Sequence, residues 1–388
     1  MKGISERISK LLRKSGERRI DQPHLALPCR RFSRAEINIA TNNFDKNLIV
    51  RRGSFGNVYK GFIDDRTISV AIEHVNINES RHRFHGFMKQ VVLICQLRHP
   101  NFVPFIGYCL EDERHGFLVY EFMVNDDLAR HLNGTNPDHD PDPDPVPWKR
   151  RLQICVGVAR GLHYLHTGLK HTIFHCDVKP SNILLDEKWE AKLSDFGLSK
   201  MGPPSLSKAL TRIETNRIVG TYGYMAPEYA MNGVLTDKSD VYSFGVLLLQ
   251  LLIGRIPSEL VEQRNLVSWA RKCKREGTIN EIIDPYLMGK ITPECFMVYV
   301  DIATSCVRNQ AERRPTMGEV QVRLEHALEL QDSADAATGD CNYCFDEYTC
   351  NASSGNASPI DTWWKPASWS TTSAEELSLE TAMANGQI

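Results

Sequence analysis

Between residues 175 and 197 the chain reads His175-Cys176-Asp177, then Lys179 and Asn182, then Asp195-Phe196-Gly197. Asp177 can accept a proton from a hydroxyl, and Lys179 can neutralise a phosphoryl group in transfer. Asn182 and Asp195 offer oxygens to Mg²⁺. An isolated Asp-Phe-Gly is a common accident. The ordered set, with Asp195 thirteen residues beyond Asn182, is not. These residues make the catalytic and metal half of a phosphoryl-transfer centre.

The phosphate-binding half departs from what such chemistry needs. Gly53-Ser54-Phe55-Gly56-Asn57-Val58 reads as a strand–turn–strand in which glycine lets backbone N–H groups approach phosphate oxygens. The position where a first glycine is expected holds Arg51, a side chain either solvated or long enough to reach a phosphate. Val70-Ala71-Ile72-Glu73 reads as an inner strand, and alternation puts Ala71 and Glu73 on one face with Ile72 and His74 on the other. Ala71 would roof a flat base and residue 73 would point at the phosphates, where a lysine is expected. Exchanging Lys⁺ for Glu⁻ changes the local charge by two units, each worth up to about 4 kcal/mol at ~4 Å and an effective dielectric near 20. The helical partner position holds Gln90 instead of a glutamate, and Gln90 can donate a hydrogen bond to Glu73. Cys176 stands where an arginine would grip a loop phosphate, so control by loop phosphorylation is expected to be weak.

Other positions serve the scaffold. Gly220-Thr221-Tyr222-Gly223-Tyr224-Met225-Ala226-Pro227-Glu228 closes a segment that opens at Asp195, and Arg314 is the expected partner of Glu228. Asp240 can receive backbone N–H groups from the 175–182 loop.

The elements that position these residues follow from periodicity. β-formers in short runs fill 32–123, interrupted by one helix carrying Phe84, Phe87, Val91, Ile94 and Leu97. The Pro/Asp-rich stretch 133–147 is an inserted loop whose prolines keep its carboxylates from converging on Ca²⁺. From Trp148 the pattern is helical, and 240–252 is apolar on all faces, as a central helix requires. Further helices are expected near 294–307 and 316–330, and a disordered tail from 332 to 388.

Composition bounds the rest. The 388 residues are 42% hydrophobic and 24% charged, with a net charge of -2, which argues against a nucleic-acid partner. No apolar run nears the roughly 18 residues of a spanning helix. Eleven scattered cysteines suit reduced thiols better than a disulfide framework. Residues 1–31 form a basic tail with apolar residues at helical spacing (Ile4, Ile8, Leu11, Leu12); it reads as solvated, and peripheral contact with an anionic membrane also fits.

Across 32–331 the chain resembles plant receptor-like protein kinases of the Ser/Thr type, in particular the malectin-type, FERONIA-like subfamily. Besides the motifs above, the likeness rests on Phe32-Ser33-x-x-Glu36-Ile37-x-x-Ala40-Thr41-x-Asn43-Phe44, Gly161-Leu162-His163-Tyr164-Leu165-His166-Thr167-Gly168, Lys238-Ser239-Asp240-Val241-Tyr242-Ser243-Phe244-Gly245 and Ile291-Thr292-Pro293-Glu294-Cys295-Phe296. The resemblance implies an α+β, two-lobed protein-kinase fold. The small lobe is an antiparallel sheet with one helix over 32–123, and the larger lobe is mainly helical over 124–331. It implies ATP and Mg²⁺ as cofactors and protein substrates or other kinases as partners. Catalysis would fall to Asp177, Lys179 and Asn182, and metal binding to Asn182 and Asp195. Nucleotide would contact Gly53, Gly56, Val58, Ala71 and residue 73, with Tyr120 as gatekeeper and Glu121 and Met123 at the hinge. Cysteine at 176 resembles the non-RD class. The family's extracellular and membrane segments have no counterpart here, which implies a cytoplasmic location, with the inner face of the plasma membrane as the site of any basic-tail contact.

Three readings follow. The departures at Arg51, Glu73, Gln90 and Cys176 favour a pseudokinase-like regulator that binds Mg-ATP weakly. An active Ser/Thr kinase with Arg51, Arg52 or Lys60 as substitute cation is the alternative, and a silent truncated paralogue is the third.

Overall fold

The computed structural model describes residues 27–53, 56–77, 81–110, 114–133, 145–204, 212–215, 217–254 and 266–338. Residues 1–26 of the basic tail, 134–144 of the inserted loop and 339–388 of the tail lie outside that set.

A six-stranded sheet forms the small lobe. Its strands are β1 (Arg30–Arg31), β2 (Ile49–Gly53), β3 (Gly56–Ile63), β4 (Ile68–Asn76), β5 (Phe105–Leu110) and β6 (His115–Glu121), in the order β1-β5-β6-β4-β3-β2. All pairs are antiparallel except β1 with β5. Helix α1 (Arg34–Ala40) starts on a capping box: Glu36 N–H donates to Ser33 Oγ, and Ser33 N–H donates to the Glu36 carboxylate. It covers the outer sheet face, where Phe32, Ile37, Val70, Ile72, Phe117 and Val119 make a small core. Val70 and Ile72 therefore face outward into that core, and the pleat of β4 leaves Ala71 and Glu73 on the cleft side. Helix α2 (Arg81–Ile94) packs Phe87, Val91 and Ile94 into the larger core.

The second lobe is helical: α3 (Leu128–Asn133), α4 (Trp148–Thr167), α5 (Pro227–Asn232), α6 (Asp237–Ile253), α7 (Leu266–Glu276), α8 (Pro293–Cys306) and α9 (Met317–Thr338). Helix α6 is buried along almost its whole length, as its apolar sequence demands, and Thr236 caps it by accepting from Lys238 N–H. Among the described residues no helix is long and apolar enough to cross a membrane.

Two expectations are corrected. Helix α9 continues past Asp332 to Thr338, where a disordered tail was expected. The reason is tertiary: buried Gln331 accepts from Thr292 N–H at 3.1 Å and donates to Asp335 at 2.8 Å, and Lys149 pairs with Asp332 at 2.6 Å. The cysteines are also not all scattered, because Cys29 and Cys95 are brought together, with Cα atoms 6.1 Å apart. Cys109, Cys155, Cys176, Cys273, Cys295 and Cys306 are free.

Candidate active site

The site lies where the cleft face of the sheet meets the 175–198 region. That region is hung from one buried carboxylate. Asp240 accepts His175 N–H at 2.8 Å and Cys176 N–H at 2.9 Å, and His166 Nε2 lies 2.9 Å away. Burial pushes the Asp240 carboxyl up, but these donors outweigh it and hold it below the usual range. Cys176 sits at φ 70° in the resulting turn. Gly220 packs so closely there that a Cβ would stand 2.7 Å from Cys176 O, and its φ of +135° suits glycine. Burial pushes the Cys176 thiol well up, with Asp240 adding to the effect.

The catalytic-loop residues expected from the sequence converge. Thr221 Oγ1 donates to Asp177 Oδ1 at 2.6 Å, Lys179 Nζ lies 2.9 Å from Asp177 Oδ2, and Asn182 Nδ2 donates to Asp177 Oδ2 at 2.9 Å. Burial raises the Asp177 carboxyl, yet these three donors together hold it below its ordinary value, so it is an ionised acceptor at neutral pH. Lys179 Nζ also donates to Thr221 Oγ1 at 2.6 Å, tying the loop to the segment that ends at Glu228. With Nδ2 used on Asp177, Asn182 presents Oδ1 as a buried oxygen without a hydrogen-bond partner. An orphaned amide oxygen is costly unless something binds it. Asp195 stands in a left-handed conformation (φ 61°) one residue after Ser194, whose N–H donates to Asn182 O. An amide oxygen and a carboxylate are the hard oxygen donors that Mg²⁺ takes, and Asn182 and Asp195 would hold it.

On the sheet side of the cleft, Glu73 stands where the sequence reading expected a lysine. Glu73 pairs with Val58 on β3 and Leu118 on β6, and Ala71 with Lys60 and Tyr120. Gly56 bends the β2–β3 turn (φ +150°); a Cβ there would collide with His74 O at 1.7 Å. Gly53 pairs with Gly56, and Ser54 and Phe55 lie outside the described residues. Burial, and then the Asp195 charge, push the Glu73 carboxyl up to about 7, against the opposing pull of Arg51. The negative charge of Asp195 is thus felt at the Glu73 carboxyl. Glu121 ends β6 and its N–H donates to Pro104 O; Met123 follows, 6% exposed.

Three details differ from the sequence reading. Gln90 lies by the Tyr120 hydroxyl, and the charges governing Glu73 are those of Asp195 and Arg51. Its place in the third turn of α2 brings Gln90 to Tyr120, a direction that residue type alone does not give. Arg51 is not simply solvated: Nη1 donates to Ser181 O at 3.1 Å, so the side chain crosses from β2 to the catalytic loop. Its charge also acts on Asp127, an acidic residue at the start of α3 that the sequence reading passed over. Lys60, a candidate substitute cation, instead lies over the Phe122 ring at 4.4 Å.

Arg314 and Glu228 form the expected bidentate pair, at 2.7 and 2.8 Å, with the arginine side chain fully buried. The family model for protein tyrosine and serine/threonine kinases matches residues 44–324. The chain belongs to the protein kinase family. Its kinase domain is similar to those of receptor-like kinases from Arabidopsis thaliana: 48% identical to FERONIA over 312 residues, 47% to ANXUR2 and 46% to ANXUR1. The alignment with FERONIA covers 79% of this chain and 33% of that receptor, so the chain spans about a third of the relatives' length. The FERONIA-like resemblance read from the motifs therefore holds, as does the α+β kinase fold. The kinase family generally uses ATP, Mg²⁺ and protein substrates.

Proposed function

We propose that this kinase domain is a signalling regulator that binds Mg-ATP weakly, transfers phosphoryl groups poorly and works by docking other kinases or their substrates. The single observation that carries this reading is Glu73: an acidic side chain on the cleft face of β4, opposed to Asp195, in the slot that phosphates would share with a cation. Every triphosphate oxygen drawn there meets repulsion from a carboxylate that is about half ionised at pH 7. Arg51 offsets part of that charge, but one of its donors is committed to Ser181 O.

The metal side is retained. Asn182 Oδ1 and Asp195 would hold Mg²⁺, which supplies charge neutralisation at the phosphates. Asp177 is ionised and oriented by Thr221, Lys179 and Asn182 to take a hydroxyl proton. What is lacking is transition-state stabilisation from the small lobe, where each ~1.4 kcal/mol is tenfold in rate. The second reading, an active Ser/Thr kinase, draws on Arg51, whose charge reaches Glu73 and Asp127 from β2. In both readings the basic start of the chain offers contact with the inner face of a membrane.

The test is Mg-ATP binding and phosphorylation of a generic protein substrate by the purified chain, with Asp195→Asn as blank. Glu73→Lys should tighten Mg-ATP at least about tenfold. Wild-type turnover above the Asp195→Asn blank, within the roughly 1–100 s⁻¹ of ordinary kinases, would replace this proposal with the second reading.

A further inference from the structure

Cys29 stands just before β1 and Cys95 just after α2, 66 residues apart in sequence and joined in space. A Cα separation of 6.1 Å lies in the range where two sulfurs bond without backbone movement. The two segments are held together independently of the sulfurs. Arg98 Nη2 donates to Pro28 O at 3.3 Å across the two segments, while Arg31 Nη2, donating to Leu110 O at 3.2 Å, and the β1–β5 pairing fix the arm to the sheet. The arm before β1 and the end of α2 thus keep one contact that does not depend on the sulfurs.

One sulfur of the pair is within reach of solvent and the other is covered. Cys29 is half-buried, on the arm that leads into β1, while Cys95 is 2% exposed. Among the other described cysteines, Cys109 and Cys273 are buried. Burial pushes the thiols of Cys155, Cys295 and Cys306 up to about 12, where the reactive thiolate is scarce. Cys176 is half-buried but is held as a thiol by burial and by Asp240.

We infer that Cys29 and Cys95 form a thiol–disulfide exchange site for small disulfides of the glutathione type, whose oxidation fastens the C-terminal end of α2 to the sheet. The Cys29 thiolate attacks one sulfur of glutathione disulfide, forming a mixed disulfide and releasing one glutathione thiolate. The Cys95 thiolate then attacks the Cys29 sulfur and releases the second. Two protein thiols are oxidised, one glutathione disulfide is reduced to two glutathiones, and the two protons leave with them. Helix α2 also carries Gln90 to Tyr120, so the fastening acts on an element that lines the cleft.

The full chain is equilibrated in reduced and oxidised glutathione mixtures, alkylated and digested. The Cys29–Cys95 peptide is quantified by mass spectrometry, with thermal unfolding run in parallel. The linked peptide should rise and fall with the glutathione ratio, and the oxidised chain should melt on the order of 5–10 °C higher. Cys95→Ser should trap glutathione on Cys29 without the rise in melting temperature. Should that core variant fail to fold, Cys29→Ser on the exposed arm should fold and show neither linkage nor shift. Absence of the linked peptide at every ratio would overturn the inference, as would its persistence in excess dithiothreitol or equal modification at Cys176.

Discussion

Replacing Glu73 by Gln tests the cleft electrostatics without any ligand. The carboxyl is ordinarily near 4.5 and stands at about 7 in the folded protein, because burial and Asp195 disfavour its ionised form. The folded state therefore holds a proton that the unfolded chain releases earlier. Stability from this group is full below about pH 4.5, declines as pH rises, and is lost above about 7. A shift of that size amounts to about 3 kcal/mol at pH 8 and under about 1 kcal/mol at pH 5, with water access to the partly buried side chain making both figures ceilings. Glutamine has the same shape and does not titrate. In urea unfolding, Glu73→Gln should therefore exceed wild type by about 2–3 kcal/mol at pH 8 and nearly match it at pH 5. An equal gap at the two pH values, or a wild type more stable at pH 8, would refute the placement of a strained carboxylate in the cleft.

Arg51→Gly removes both the bond to Ser181 O and the charge that opposes the upward push on Glu73. Carbon-detected NMR titration should find the Glu73 carboxyl moved above about 7, and an unmoved or lowered value would separate the two residues. Glu228→Gln leaves the fully buried Arg314 guanidinium without its carboxylate and should cost about 3 kcal/mol in chemical denaturation. A loss under about 1 kcal/mol would mean that the pair behaves like a surface ion pair.

The parts legible in the sequence were those fixed by local pattern. The pleat of β4 put Ala71 and Glu73 on one face from alternation alone, and burial of Val70 and Ile72 on the other follows from the same period. The all-apolar run of α6 announced a central helix, and the charge of Arg314 beside a proline announced a partner for Glu228. Long side chains were harder. Arg51 spans 130 positions to reach Ser181 O, and no local pattern encodes that reach. Gln90 is brought to the Tyr120 hydroxyl by the packing of α2 on the sheet, which residue type does not encode. The extension of α9 depends on Gln331 meeting Thr292, a contact between elements whose composition gave no hint of it. The Cys29–Cys95 juxtaposition depends on β1 lying alongside β5, an unusual parallel pair at the sheet edge.

The Asp240 anchorage carries a consequence for how such a molecule can signal. The turn at His175 and Cys176, the Lys179–Thr221 tie and the Glu228–Arg314 pair all take their shape from the lower lobe. None of them requires residue 73 to be basic. Under the proposed function, a replacement in the upper lobe would weaken phosphoryl transfer and leave the contacts around Thr221–Glu228 intact. A neighbouring kinase would then meet the outline of a working enzyme, and the message would be conveyed by form instead of by turnover.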